Sequence, residues 1–241
     1  MLQYREIFYK QYFSSQLGRN ETSFQKNLEK EAFQLKNEIL PLIKKGKDAE
    51  IVDLGCGIGA LVKSLIDAGY TSTSGIDVSE QMVEVAQALG ILQVKQGDVS
   101  DFLRQHKSSF DVITGIDIIE HFTKDELVQL LILIKEALKP NGVAIFRTPN
   151  VDAPYATIFA NGDFTHENYL NSSSAKQVML NCGFSGVEIF PSLIQIQNPV
   201  KEWFRKRVWA LLKLRIKIEL FASGRSSKIV MTPNLLIRVT K

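Results

Sequence analysis

The sequence predicts an α/β fold: a doubly wound, mostly parallel sheet covered by helices on both faces, preceded by an N-terminal helical extension. Two observations predict it. From Glu50 onward, short apolar runs alternate with longer segments of helical periodicity up to about Arg147, the pattern of strands joined by helical crossovers. The first apolar run also ends in a glycine-rich turn that opens a helix, Ile51–Leu61, IVDLGCGIGAL, the local signature of a nucleotide-type ligand site. The 241 residues, 45% hydrophobic and 23% charged, suit one globular domain able to bury its own core.

The elements follow in order. Residues 1–45 form the extension. Phe24, Leu28, Phe33 and the run Leu35 to Leu42 predict an amphipathic helix, with Asn20 to Ser23 as capping residues and an end near Pro41 to Gly46. Residues 46–241 form the main domain. Ile51–Leu54 is a buried strand and 60–69 a helix. Thr73–Asp77 is the second strand, and 79–90 a helix capped by Ser79 with Met82 on its apolar side. Residues 92–96 make a third strand, closed by Gly97-Asp98, and 110–115 a fourth. A helix over 123–139 starts with Thr123 and Glu126 in capping-box spacing. After the turn Pro140-Asn141-Gly142 comes a fifth strand over 143–147. Regular structure then stops for residues 150–171, a length typical of a lid over a site. A helix over 172–181, a strand over 187–190 and two strand-like pieces around Pro233-Asn234 complete the chain, the last pair suited to an antiparallel edge.

Bulk properties exclude several classes. A net charge of +3 gives no nucleic-acid signature. The two cysteines, Cys56 and Cys182, imply reduced thiols rather than a disulfide framework, which fits a cytoplasmic protein. The polar start MLQYREIFYK is not a signal peptide, and no apolar run is long enough for a membrane span. No clustered histidine and acid spacing points to a metal.

Gly55, Gly57 and Gly59 let the backbone turn tightly against a ligand at the carboxyl end of the first strand. A dinucleotide oxidoreductase remains a competitor, because Gly55, Gly57 and Ala60 also satisfy a Gly-x-Gly-x-x-Ala loop with Asp77 at ribose distance. Against it, Asp53 lies two residues before the first glycine, where a carboxylate would repel a pyrophosphate but suits a zwitterionic amino-acid tail. Gly97-Asp98 ends the third strand where an acid can read an adenine amino group.

Four segments in sequence, IVDLGCGIGALV, SGIDVSEQMVEVA, VKQGDVSDF and FDVITGIDIIEHF, resemble the successive motifs of class I S-adenosylmethionine-dependent methyltransferases over about residues 51–150. The resemblance implies a Rossmann-like sheet of seven strands, the last antiparallel, and S-adenosyl-L-methionine as cofactor. It also implies roles. Asp53, Gly55, Cys56 and Gly57 would face the methionine part. Asp77 would bind the ribose hydroxyls, with Val78 and Met82 beside it. Asp98 and Val99 would hold the adenine, and Ile116 and Asp117 would lie between cofactor and acceptor.

An oxygen acceptor needs a base within hydrogen-bond reach. Of the three histidines, His106 lies in the polar stretch RQHKSS and reads as solvated surface. Glu120-His121 resembles the Glu-His pair after the fourth strand of small-molecule methyltransferases, including the quinone O-methyltransferases of ubiquinone synthesis. His166, in GDFTHENYL, resembles a Thr-His segment that lids the acceptor pocket there. Glu120, His121 and His166 are therefore the candidate catalytic residues. The expected acceptor is a small molecule, a sugar or lipid-linked precursor among the options, and a catalytically silent cofactor-binding protein is the third reading. Residues 199–222 are basic and apolar, with both tryptophans. Peripheral contact with the inner face of a membrane through 201–221 competes there with a dimer or lid surface. The strict alternation over 213–219 also suits a strand.

Overall fold

A computed structural model describes Tyr4, Arg5, Phe8 and residues 21–193, 195–224 and 229–241. The elements are α1 (Glu21–Ile43), β1 (Ile51–Leu54), α2 (Ala60–Asp67), β2 (Thr73–Asp77), α3 (Glu80–Ala88), β3 (Val94–Gln96), α4 (Val99–Gln105), β4 (Phe110–Ile116), a 3-10 turn (Ile119–His121), α5 (Lys124–Ala137), β5 (Leu138–Pro149), α6 (Ala156–Ala160), α7 (Ser172–Asn181), β6 (Ser185–Ser192), α8 (Pro199–Ala222) and β7 (Asn234–Thr240).

The seven strands form one sheet in the order β3-β2-β1-β4-β5-β7-β6. β1 pairs in parallel with β2 and β4, β2 with β3, and β4 with β5. β7 runs antiparallel to both β5 and β6. The chain winds outward in one direction through β2 and β3, then crosses back to β4. The order reverses between β1 and β4, so a crevice opens beyond their carboxyl ends.

Local chemistry sets the helix starts. Thr123 and Glu126 form a reciprocal capping box at α5, and Asn171 with Ser174 does the same at α7. Ser79 Oγ accepts from Met82 N at α3. The two faces of the sheet are covered separately. Ile51, Val112, Val143 and Ile145 pack with α1, α2 and α3. Val52, Ile113, Ala144 and Ile237 pack with α4, α5 and α7.

α1 is built into this core. Leu28, Leu35, Ile39 and Ile43 are fully buried, and Ser64 Oγ of α2 donates to Ala32 O at 2.9 Å. Pro41 sits inside its last turn. Three local expectations differ from the structure. β5 begins five residues early and carries Pro140-Asn141-Gly142 as an irregularity, with Asn141 at φ 59° and a register shift against β4. Only the segment after Pro233 is a strand in the last pair. Residues 213–219 continue a single helix, since the alternation that suited a strand also fits a helix lying exposed along its length.

Replacing Ile39, which is inaccessible to solvent, by Ala is expected to cost about 2–5 kcal/mol, from lost apolar burial and the cavity left behind. Urea denaturation measures this, and an unchanged midpoint would mean that α1 does not contribute to the core.

Candidate active site

The crevice at the β1–β4 reversal holds a cavity of about 640 Å³, within the range of about 300–1,000 Å³ usual for cofactor pockets. Its wall includes Gly55, Gly57, Asp77, Val78, Met82, Asp98, Val99 and Asp117 from the expected cofactor set, and His121 from the expected catalytic set.

The loop after β1 is shaped for close approach. Gly55 and Gly57 have φ of 65° and 53°, left-handed backbone that favours glycine. A Cβ built on Gly55 would strike the Ile118 side chain at 2.6 Å. One built on Gly57 meets no protein atom within 4 Å and would project into the cavity. Space is therefore reserved at Gly57 for something outside the chain, and the group that the sequence motifs imply fits this cradle.

Asp77 holds the two glycine-side loops together. Its Oδ2 accepts from Gly57 N and its Oδ1 from Ser79 N, both at 2.8 Å. Burial pushes its pKa up, and these two amides oppose that. A carboxylate oxygen has more than one acceptor direction, so each remains able to take a hydroxyl. Asp98 N-caps α4, its Oδ1 accepting from Ser100 N at 2.8 Å and Asp101 N at 3.0 Å, while also lining the cavity.

Asp53, Cys56 and Ile116 are not part of the wall. Asp53 is buried under the loop, where its Oδ1 accepts from Thr114 Oγ1 at 2.6 Å, and burial raises its pKa to about 7. The Cys56 thiol packs in the core against β2, so close that a Cβ on Gly75 would meet Sγ at 2.7 Å. Ile116 turns to the same core. Asp117 has φ 51°, and this left-handed turn brings its carboxylate to buried Arg147, whose Nε donates to Oδ1 at 3.0 Å and Oδ2 at 3.2 Å.

Glu120, His121 and His166 converge, with one potential ligand atom of each within 4.8 Å of the others. Chain spacing gave no hint of this cluster, because 45 residues separate the two histidines. The lid brings them together: Glu167 N and Asn168 N donate to Glu120 O at 2.7 and 3.0 Å. The imidazole rings meet edge to face with centroids 4.9 Å apart. Thr165 Oγ1 donates to Asp163 Oδ1 at 2.7 Å, so its contact with His121 Nδ1 at 2.8 Å has the imidazole as donor. His166 Nδ1 likewise donates to Ala160 O at 2.9 Å. Both rings, when neutral, then carry the basic lone pair on Nε2. Burial first, and His166 second, push the His121 pKa down. Glu120 is fully buried, and its pKa is driven well up by burial and then by Asp117. Thr148 Oγ1 donates to Glu120 Oε2 at 3.2 Å, and Oε1 has no hydrogen-bond partner among the described residues. The donor set has the chemistry of a proton relay and equally of a metal ligand set. Only His121 of the three lines the cavity. His106 is half-buried rather than solvated, stacked on Phe102 with centroids 4.1 Å apart.

Arg5, Arg104, Asp125 and Gln129 line the cavity outside the motifs that the sequence offered. Arg5 donates to Glu126 through Nη1 and Nη2, each at 2.8 Å, and through Nη2 to His121 O at 2.7 Å. It closes the cavity beside His121. Tyr4 donates to Glu167 Oε1, and Phe8 stacks on Phe164 of the lid with centroids 5.2 Å apart.

The comparisons with known proteins agree with this geometry. A family model described as a methyltransferase domain matches residues 24–207. A ubiquinone biosynthesis O-methyltransferase of Actinobacillus pleuropneumoniae is 34% identical over 110 residues, 42% of this chain and 46% of that protein. One from Saccharophagus degradans is 25% identical over 175 residues, 66% and 71% of the two chains. A malonyl-[acyl-carrier protein] O-methyltransferase of Halalkalibacterium halodurans is 30% identical over 126 residues, 47% and 46%. The chain thus spans about half the length of several curated relatives it matches. A SAM-dependent methyltransferase structure from Archaeoglobus fulgidus superposes with a TM-score of 0.66 at 20% identity, covering 95% of this chain and 98% of that one. Fold and site define the class I architecture of S-adenosylmethionine-dependent methyltransferases. The chain belongs to the methyltransferase-domain family, whose model covers about three quarters of it.

Asp77→Ala is expected to weaken S-adenosylhomocysteine binding by about 1–3 kcal/mol, the range for losing charge-assisted hydrogen bonds. Titration calorimetry measures it, and unaltered affinity would remove Asp77 from the site.

Proposed function

We propose that this chain transfers a methyl group from S-adenosyl-L-methionine to an oxygen of a small acceptor, a sugar or lipid-linked precursor being the expected class. The observation that carries this reading is His121, on the cavity wall with its basic nitrogen set to Nε2 by the Thr165 contact. The curated relatives named O-methyltransferases support the oxygen acceptor. The reading also takes the protein to work in the cytoplasm, with peripheral membrane contact through 201–221. No described helix is long and apolar enough to cross a membrane.

The cofactor supplies an electrophilic methyl group on a sulfonium. The chain contributes alignment and proton handling. Gly55 and Gly57 offer close backbone approach, and Asp77 is the acceptor for a ribose diol. Met82, Val78 and Val99 give apolar wall for an adenine ring, with Asp98 at its edge. Asp117, held by Arg147, faces the space between donor and acceptor. His121 Nε2 takes the proton of the acceptor hydroxyl. His166 and Glu120 act through His121 as positioning residues, one against its ring and one beneath it. Arg5 and Phe122 close the acceptor side and exclude water.

A hydride-transfer enzyme on a similar sheet would bind NAD here, and calorimetry with NAD and with S-adenosylhomocysteine separates the two. NAD binding without S-adenosylhomocysteine binding would overturn the methyltransferase reading. A silent cofactor-binding protein would bind S-adenosylhomocysteine and turn over none of a panel of hydroxylated acceptors offered with labelled methyl donor.

With an acceptor in hand, His121→Gln is expected to lower kcat by about 10²–10⁴-fold, the usual contribution of a general base. The base works deprotonated, so the rate falls as pH drops through its pKa. That pKa is depressed below the ordinary 6.5, and the acid limb of the kcat/KM profile is expected below that value. His166→Ala removes one cause of the depression, and the limb should move to higher pH. A limb that is unmoved in His166→Ala, together with an active His121→Gln enzyme, would remove the pair from the chemistry.

A further inference from the structure

α8 is 24 residues long, and none of them is buried. It still has two distinct faces. Glu202, Arg205, Trp209, Ile216 and Leu220 are the positions of intermediate exposure, and their spacing of three, four, seven and four residues puts them on one side, toward the body of the protein. Trp209 lines a shallow depression there with Pro191, Val230 and Met231. The opposite side carries Val200, Trp203, Phe204, Leu211, Leu214, Ile218 and Phe221, again at helical spacing. Each is 55–83% exposed. This is an apolar stripe about 32 Å long at 1.5 Å per residue, broken by Arg207 and pointing away from the protein. A monomer rarely leaves so much apolar surface in water without a use for it.

Charge identifies the occupant. α8 has seven Lys or Arg and two Glu. Both acids are paired within the helix: Glu202 with Arg205 at 2.6 Å and Lys206 at 3.6 Å, Glu219 with Arg215 at 2.9 Å. On a helical projection Arg215 and Lys201 flank the stripe on one side; on the other, Lys206, Lys213 and Lys217 lie between the stripe and the body-facing side and also line the Trp209 depression. Arg207 lies within the stripe, its guanidinium 5.2 Å from the centre of the Trp203 ring. A second copy of α8 would bring cationic rows against cationic rows with no unpaired acid to answer them. An apolar stripe with long basic side chains on both margins suits an anionic bilayer surface, with the aromatic and aliphatic residues in the acyl boundary and the cations reaching back to headgroups.

We infer that α8 docks flat on a membrane surface rich in anionic phospholipid, through the face formed by Val200, Trp203, Phe204, Leu211, Ile218 and Phe221. This deepens the peripheral contact included in the proposed function, and it stands whether or not the acceptor is lipid-linked.

The test uses the full chain with vesicles of phosphatidylcholine alone and of phosphatidylcholine with phosphatidylglycerol. The chain is expected to sediment with the anionic vesicles at least tenfold more than with the neutral ones, with a blue shift of tryptophan fluorescence, and raised salt should reduce binding. The double variant Leu211→Asp, Ile218→Asp changes two exposed positions. It is expected to stay folded, to bind S-adenosylhomocysteine as the parent does, and to remain in the supernatant. A parent chain that ignores anionic vesicles overturns the inference. So does a variant that binds them equally, or a parent dimer that the variant dissolves without any vesicle binding, which assigns the face to a second copy. Because cofactor binding is read separately, loss of vesicle binding and loss of the methyltransferase reading are distinguishable.

Discussion

The buried guanidinium of Arg147 is the constraint around which the site is arranged. It sits near the carboxyl end of β5, where burial works against its charge, and Asp117 and Glu38 outweigh that burial and hold it cationic. Each anion comes from a different element. Asp117 follows β4 and must adopt left-handed backbone to reach it. Glu38 comes from α1, with Nη1 at 3.5 Å, and its Oε1 in turn accepts from Ser192 Oγ of β6 at 2.9 Å. One cation therefore ties the N-terminal helix, the loop after β4 and the far edge of the sheet to one point beside the cavity. Removing a partner would leave an uncompensated charge indoors, which costs more than an intact pair contributes.

The remaining carboxyls respond to the same low-dielectric surroundings in different ways. Asp77 is buried but keeps two amide donors, which favours the ionised form needed to bind hydroxyl groups. Asp53 has one hydroxyl donor and is raised to about 7. Glu120 has one hydroxyl donor, a nearby Asp117 and an Oε1 with no hydrogen-bond partner among the described residues, and burial drives its pKa well up.

The parts of the molecule legible in the sequence are those set by neighbours along the chain. Glycines at Gly55 and Gly57 follow from a strand-to-helix turn, the capping box of Thr123 and Glu126 from a spacing of three, and the parallel sheet from the alternation of periods. Asp77, Asp98 and Asp117, carried by those turns, line the cavity. Side-chain direction was less legible. Asp53, Cys56 and Ile116 lie in or next to the motifs, yet strand pleat and loop geometry turn them into the core. The resemblance named Glu120, His121 and His166 as one candidate set, but their direct contact was not legible, since it depends on backbone bonds between the lid and the turn after β4. For α8, periodicity alone left basic residues scattered around the circumference. Only knowing which side rests on the protein resolves the outer side into an apolar stripe with charged margins.

The two halves of the cavity therefore draw on different information. The glycine side is local, three short motifs at three strand ends, and a relative sharing only those motifs would share it. The other side is assembled from Arg5, His121 and Phe122, and Arg5, more than a hundred positions from the other two, joins them by bridging Glu126 and the His121 carbonyl. Several curated relatives align over less than half of this chain. On the proposed reading, donor binding and acceptor choice draw on separate segments, and the acceptor entering beside His121 meets Arg5, whose charge is paired with Glu126.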